Sequence, residues 1–116
     1  MLREANLVDA TLTKAQFTYA DLKGAIFNGA NFLNTNFSHA DMQGAQGIAG
    51  AEFRKTNFAK ANLEGVDLRG AILHEVNLSG ANLKGANLEG AIIGGAKLDG
   101  TILTGTILEQ STVAPN

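Results

Sequence analysis

Two histidines, His39 and His74, and a few Glu-Gly steps are the residues of this chain whose chemistry invites a test for a metal or a proton-transfer site. Zinc takes three or four ligands from His, Cys, Asp or Glu. Neither histidine has a second His or a Cys beside it, and the sequence contains no cysteine. Disulfides, thiolate catalysis and Cys-based metal sites are therefore excluded. The steps Glu64-Gly65 and Glu89-Gly90 come without the apolar surroundings that desolvate a carboxylate and raise its pKa. Gly80 and Gly85 have the spacing that opens a phosphate-binding loop, but Ala86 stands where that loop requires Lys. Asn36-Phe37-Ser38 and Asn77-Leu78-Ser79 match glycosylation sequons, although no secretion signal accompanies them. Nine Lys and Arg stand against eleven Asp and Glu, a net charge of −2. A nucleic-acid binder would carry a basic stripe, whereas Arg54, Lys55 and Lys60 form only a local cluster diluted by Glu52 and Glu64. No catalysis, cofactor or metal is expected, and nucleic acid is disfavoured as a partner.

The elements that hold these residues follow from one regularity. A large apolar residue returns every fifth position, from Leu2, Leu7, Leu12 and Phe17 through to Leu103, Leu108 and Val113. The run has 23 such centres and includes all six Phe. Two positions before nearly every centre sits a small residue, usually Ala, as at Ala5, Ala61 and Ala86, and sometimes Thr, as at Thr35 and Thr56. The step from Met42 to Ile48 is six residues, which places a one-residue insertion within residues 45–47. In an α-helix, five residues at about 100° each would smear the centres around the circumference. In a straight strand, an odd step would put successive centres on opposite faces. The chain must instead turn a corner once per repeat, with the small residue and the centre both pointing inward, and the coils must stack as a solenoid. Gly occupies the position two after the centre in 12 of its 14 occurrences, which suits a type II corner with positive φ. Lys14, Tyr19, Lys55, Lys60 and Glu75 at that position predict type I or irregular corners in their repeats.

The unit reads A-(D/N)-L-x-x, as in Ala61-Asn62-Leu63-Glu64-Gly65 and Ala86-Asn87-Leu88-Glu89-Gly90, and so resembles the pentapeptide-repeat family over essentially the whole chain. The resemblance implies an all-β fold, a right-handed four-sided β-helix with four repeats per coil and about six coils. The repeat domain then covers residues 1–113, with residues 114–116 as a short tail. Four repeats per coil, and 21 residues across the insertion, predict the columns Phe17, Phe37, Phe58, Leu78, Leu98 and Leu12, Phe32, Phe53, Leu73, Ile93. Outside, Asn36, Asn57 and Asn77 share a column in which amides can bond along a ladder.

A rod whose inward side chains are spent on packing has no concave pocket of the kind catalysis uses. The family prefers Asn or Asp just before the centre, yet Ile26, Ile72, Ile92, Ile102 and Ile107 occupy that outward position here. Ile72 and Ile92 are expected to lie one above the other, and Ile102 and Ile107 to flank a corner of the last coil. Ile72, Ile92, Ile102 and Ile107 form the candidate interaction surface, for an as yet unidentified protein or for a homodimer made through an end of the rod. A non-enzymatic structural or protein-interaction module is the leading expectation. The alternative, implied by the resemblance, is a DNA-mimicking modulator of DNA gyrase, a role that favours a more strongly acidic rod than net −2 provides. No stretch approaches 18 uncharged apolar residues, so no membrane partner is expected. A cytoplasmic location is expected, a processed lumenal or periplasmic form having the same sequence.

Overall fold

The computed structural model describes residues 2–106. Its chain is a parallel β-helix in which each short side contributes one bridging residue, the one just before the centre. Bridges join residues 20 apart below the insertion and 21 apart across it, as in Gln16 to Asn36 and Asn36 to Asn57. Four bridging residues therefore make one coil, and four ladders run along the rod. The first face carries Asn6, Ile26 and Gln46, then Asp67 and Asn87. The second carries Thr11 and Asn31, then Glu52, Ile72 and Ile92. Gln16, Asn36, Asn57, Asn77 and Lys97 line the third, and Asp21, Asp41, Asn62, Asn82 and Ile102 the fourth.

The hydrogen bonding is as regular as the sequence. Away from the insertion, each centre with a described coil beyond it donates its N–H to the carbonyl of the bridging residue one coil on, as Leu7 does to Ile26 at 2.7 Å; Phe32 and Ile48, beside the insertion, do not. The centre's own carbonyl closes the corner by accepting from the residue three ahead, as Leu7 does from Ala10 at 3.1 Å. All described corners are of the type II kind, positive φ falling on the third turn residue alone. This corrects the expectation of mixed corners. Lys14, Tyr19, Lys55, Lys60 and Glu75 adopt φ between 56° and 64° like the glycines around them. The left-handed conformation costs about 1–2 kcal/mol for such a residue. It is offset because that residue's N–H then points to the next coil, as Lys60 N does to Ser79 O at 2.9 Å. Any other corner would misdirect the ladders on both flanking sides.

The core lies along the axis. Phe17 stacks on Phe37 and Phe37 on Phe58, each at 5.3 Å between centroids and 8° between planes, while Phe32 meets Phe53 at 4.5 Å. Leu73 and Leu78 continue these columns, both buried. Aromatic contacts of this kind add about 0.5–1.5 kcal/mol each beyond area burial. Where Thr replaces the inward Ala, its hydroxyl is satisfied: Thr35 Oγ1 donates to Leu12 O and Thr56 Oγ1 to Phe32 O, both at 2.8 Å.

Outside, Asn and Asp before the centre do a local job. Asn57 Oδ1 accepts from Ala59 N at 2.8 Å, Asn77 Oδ1 from Ser79 N at 3.0 Å and Asn36 Oδ1 from Ser38 N at 2.9 Å. Each caps the N–H of the first central corner residue, an Asx arrangement. The expected amide ladder on the third face is thereby limited to Asn36 Nδ2 donating to Gln16 Oε1 at 3.0 Å. Capping uses the amide oxygens that a continuous ladder would need.

Gly47 is the inserted residue, with φ 79°. Gln46 keeps the regular pairing, accepting from Phe27 N at 2.9 Å, and Gly47 lies against Asn28, where a Cβ would come within 2.6 Å of the main-chain nitrogen. Among the described residues, bridges are missing at two steps, Gln46 to Asp67 on the first face and Asn31 to Glu52 on the second. The third and fourth faces run unbroken past the same level.

Candidate interaction face

The position before each centre points outward, so its side chain is shielded only by its neighbours one coil up and down. Ile26, Ile72 and Ile92 are half-buried, and Ile102 is 47% exposed. Ile72 bridges both Glu52 and Ile92, so the two isoleucines stack on the second face as expected. Ile102 stands on the fourth face above Asn82 and does not join them. Ile107 lies outside the described residues. Of the candidate surface, Ile72 and Ile92 form one contiguous strip and Ile102 a separate exposed site. An isoleucine here also gives up the Asx cap, since it offers no acceptor to the N–H two residues on.

Four Lys or Arg to carboxylate pairs stand on the described surface. On the fourth face Asp21 bridges Asp41, and the two acids have cationic neighbours: Arg3 on Asp21, and Lys23 Nζ at 3.4 Å from Asp41. Asn62 Nδ2 adds a hydrogen bond to Asp41 at 3.3 Å. The hydrogen bond from Arg3 holds the Asp21 carboxyl below the usual carboxylate range and pushes the Arg3 guanidinium up. On the first face Arg69 grips Asp67 through Nε at 2.9 Å and Nη2 at 2.8 Å, which lowers the Asp67 pKa in the same way. Arg54 pairs with Glu52, its partner two residues back. Lys55 and Lys60 occupy successive corners, so the basic cluster of the sequence is spread around the rod.

His39 and His74 are apart. His74 Nε2 faces Glu75 at 3.7 Å, and His39 stacks on Tyr19 with centroids 4.3 Å apart and planes 16° apart. No group of three or more His, Cys, Asp or Glu that could hold a metal occurs among the described residues. Gly80 and Gly85 are successive corners at φ 69°, not a phosphate cradle. The Tyr19 and His39 stack, with Tyr19 71% exposed, is a surface feature that the five-residue period alone does not reveal. The coil length does, since the two residues are one coil apart. No helix of the described residues is long and apolar enough to cross a membrane.

The family model for pentapeptide repeats matches in eight copies, over residues 1–29, 15–46, 48–74 and 71–110, and its coverage breaks at Gly47. No curated protein matches the sequence. Among solved structures, the pentapeptide repeat protein Rfr23 from the cyanobacterium Cyanothece 51142 is 25% identical, with a TM-score of 0.76 over 94% of this chain and 91% of that one. QnrB1, a plasmid-mediated fluoroquinolone resistance protein, is 23% identical with a TM-score of 0.64, over 97% of this chain and 63% of that one. A pentapeptide repeat protein from the thylakoid lumen of Arabidopsis thaliana is 30% identical over 90% of this chain and 66% of that one, with a TM-score of 0.49.

Proposed function

That this chain belongs to the pentapeptide-repeat family is the premise from which we propose a non-enzymatic module that binds another protein through the second face of its rod. One observation carries the reading: Ile72 and Ile92, stacked and half-buried, replace the capping Asn or Asp with apolar surface on a face that is otherwise polar. A β-branched pair of this kind suits a flat contact against a partner. The inward side chains are packed into a continuous core from Leu12 to Ala91, which leaves catalysis no enclosed, desolvated site. The right-handed sense expected of the family is assigned to this chain as part of the same reading.

The gyrase-modulating alternative draws on the likeness to QnrB1, which shows a shared fold. Among the described residues its charge requirement meets the Asp21 and Asp41 pair, with Arg3 and Lys23 beside it. We therefore place it second. Capture from a lysate, followed by binding of the purified partner, tests the leading reading with the rod and an Ile72→Asp/Ile92→Asp variant. A partner that binds the rod and loses at least tenfold in affinity for the variant supports it. A partner bound equally by both, or none, sinks it. Inhibition of gyrase supercoiling at micromolar rod would move the alternative to first place.

A further inference from the structure

Stacking of the coils segregates charge in a way that order along the chain hides. Over the three coils of Gln16, Asn36 and Asn57, the third face and its two rims are built from residues 13–19, 33–39 and 54–60. These segments hold Lys14, Arg54, Lys55 and Lys60, four of the nine Lys and Arg, and none of the eleven Asp and Glu. The rest of the chain has five cations against eleven acids. Lys14 and Lys55 stand on one rim, two coils and so about 10 Å apart, and Lys60 stands on the other. All three are exposed, and among the described residues none of them enters an ion pair, whereas Arg54 is held by Glu52 of the second face.

The floor between the rims offers donors. Asn36 Oδ1 and Asn57 Oδ1 are taken by Ser38 N and Ala59 N, so the amide groups left to a partner are N–H donors. Tyr19 and His39 stack face to face on the Lys60 rim and so present their positive ring edges to the side. Cations and N–H donors with no anion among them fit a ligand rich in carboxylates or phosphates. The extent of the patch separates the two. Beyond the coil of Asn57 the charges mix: Glu75 follows Lys55 on one rim, Asp99 lies farther along the other, and Lys97 stands between them. A nucleic-acid strand laid along the rod meets Glu75 and Asp99, and one laid around it meets Glu52, or Asp21 and Asp41, on the adjoining faces. The net charge of −2 gives no long-range pull on such a polyanion. A short acidic stretch of polypeptide stays within the patch, since about 10 Å is about three residues of extended chain.

We propose that the basic third face docks an acidic segment of a partner protein, its carboxylates meeting Lys14, Lys55, Lys60 and the side-chain amides of Asn36 and Asn57. The inference goes beyond the second-face reading and does not depend on Ile72 or Ile92. It is tested by titrating the ¹⁵N-labelled rod with acetyl-Asp-Glu-Asp-Glu-Asp-amide and with its neutral counterpart acetyl-Asn-Gln-Asn-Gln-Asn-amide. Saturable shifts of the Asn36 and Asn57 side-chain amides are expected with the acidic peptide alone, weakening at least threefold from low to physiological salt. Lys55→Glu and Lys60→Glu are each expected to weaken binding at least fivefold. Glu75 already holds the same corner conformation, at φ 61°, so neither change disturbs the corner. Lys84→Glu makes the same change of charge at an exposed lysine of the fourth-face corner and is expected to alter binding less than twofold. No saturable shift of either amide at millimolar peptide, equal shifts with both peptides, or equal losses from Lys60→Glu and Lys84→Glu overturn the proposal. Oligothymidylate binding more tightly than the peptide at these amides would assign the face to nucleic acid, and salt-sensitive self-association lost in Lys60→Glu would assign it to a second copy; either result overturns the proposal as well.

Discussion

Replacing Gly47 with Ala separates two costs that glycine avoids in this fold. Gly47 and Gly65 share a positive φ, 79° and 69°. A Cβ on Gly65 would meet nothing within 4 Å, whereas one on Gly47 would lie 2.6 Å from Asn28 N and 2.5 Å from Asn28 Oδ1. Gly65→Ala therefore bears only the left-handed cost, partly offset by stiffening the unfolded chain, a net loss of about 1 kcal/mol. Nine non-glycine residues already hold that conformation, so the fold accommodates it. Gly47→Ala bears the same cost and also an overlap with a main-chain atom. That segment is tied to the coil below by Asp9 N to Asn28 O at 2.7 Å, so it cannot simply move away. Overlaps of this kind add about 1–3 kcal/mol, for a total of about 2–4 kcal/mol. With a urea m-value of about 2 kcal/mol/M, the Gly65→Ala midpoint falls by about 0.5 M and the Gly47→Ala midpoint by about 1–2 M. Urea unfolding followed by circular dichroism reads the two directly. Equal midpoints for the two variants would refute the claim that Gly47 is pinned against Asn28.

Further outcomes follow from the core, the caps and the ion pairs. Phe37→Ala, in the centre of the Phe17 to Phe58 stack and fully buried, is expected to lose about 3–5 kcal/mol by calorimetry, and Phe17→Ala, half-buried in the first coil, clearly less. Ile72→Asn supplies an acceptor for the His74 N–H and is expected to stabilise by about 0.5–1 kcal/mol, while Asn82→Ala, which takes the acceptor from Lys84 N at 2.9 Å, loses a similar amount. Urea midpoints moving in the same direction for both would count against the capping account. The Asp67 carboxyl, held below its usual value by Arg69, contributes stability that is present above the ordinary carboxylate range and is lost as pH falls through its folded pKa. In Arg69→Leu, carbon-13 NMR should show the Asp67 titration moving up, and an unchanged titration would remove the pair as its cause.

Much of the architecture was legible because the repeat is a geometric constraint written at every fifth residue. The Phe columns and the Ile72 and Ile92 pair followed from counting 20 residues per coil and 21 across the insertion, as the bridges show. The corners were misread at Lys14, Tyr19, Lys55, Lys60 and Glu75, because local propensity favours type I there and the inter-coil hydrogen bonds override it. The role of Asn and Asp was also misplaced. Their types suggested a ladder between coils, but Asn57 and Asn77 bond two residues ahead in their own corners. The site was legible in part: the pattern marked Ile72, Ile92 and Ile102 as anomalies, yet only the coil assignment puts the first two together and the third on another face.

The sequence alone determined the period, the inward and outward alternation, the solenoid and the place of the inserted residue, because these depend on the order of residues along one chain. The tertiary structure decided what the insertion does. An extra residue can be absorbed as a corner, a bulge or a slipped register, and its outcome depends on atoms of the adjacent coils. Gly47 lies against Asn28, Gln46 keeps its pairing with the coil below, and the bridges from Gln46 to Asp67 and from Asn31 to Glu52 are absent. That contact joins residues 19 positions apart in the chain. Their approach is set by stacking of the coils, and at this level main-chain groups of both the first and the second face lose their inter-coil partners.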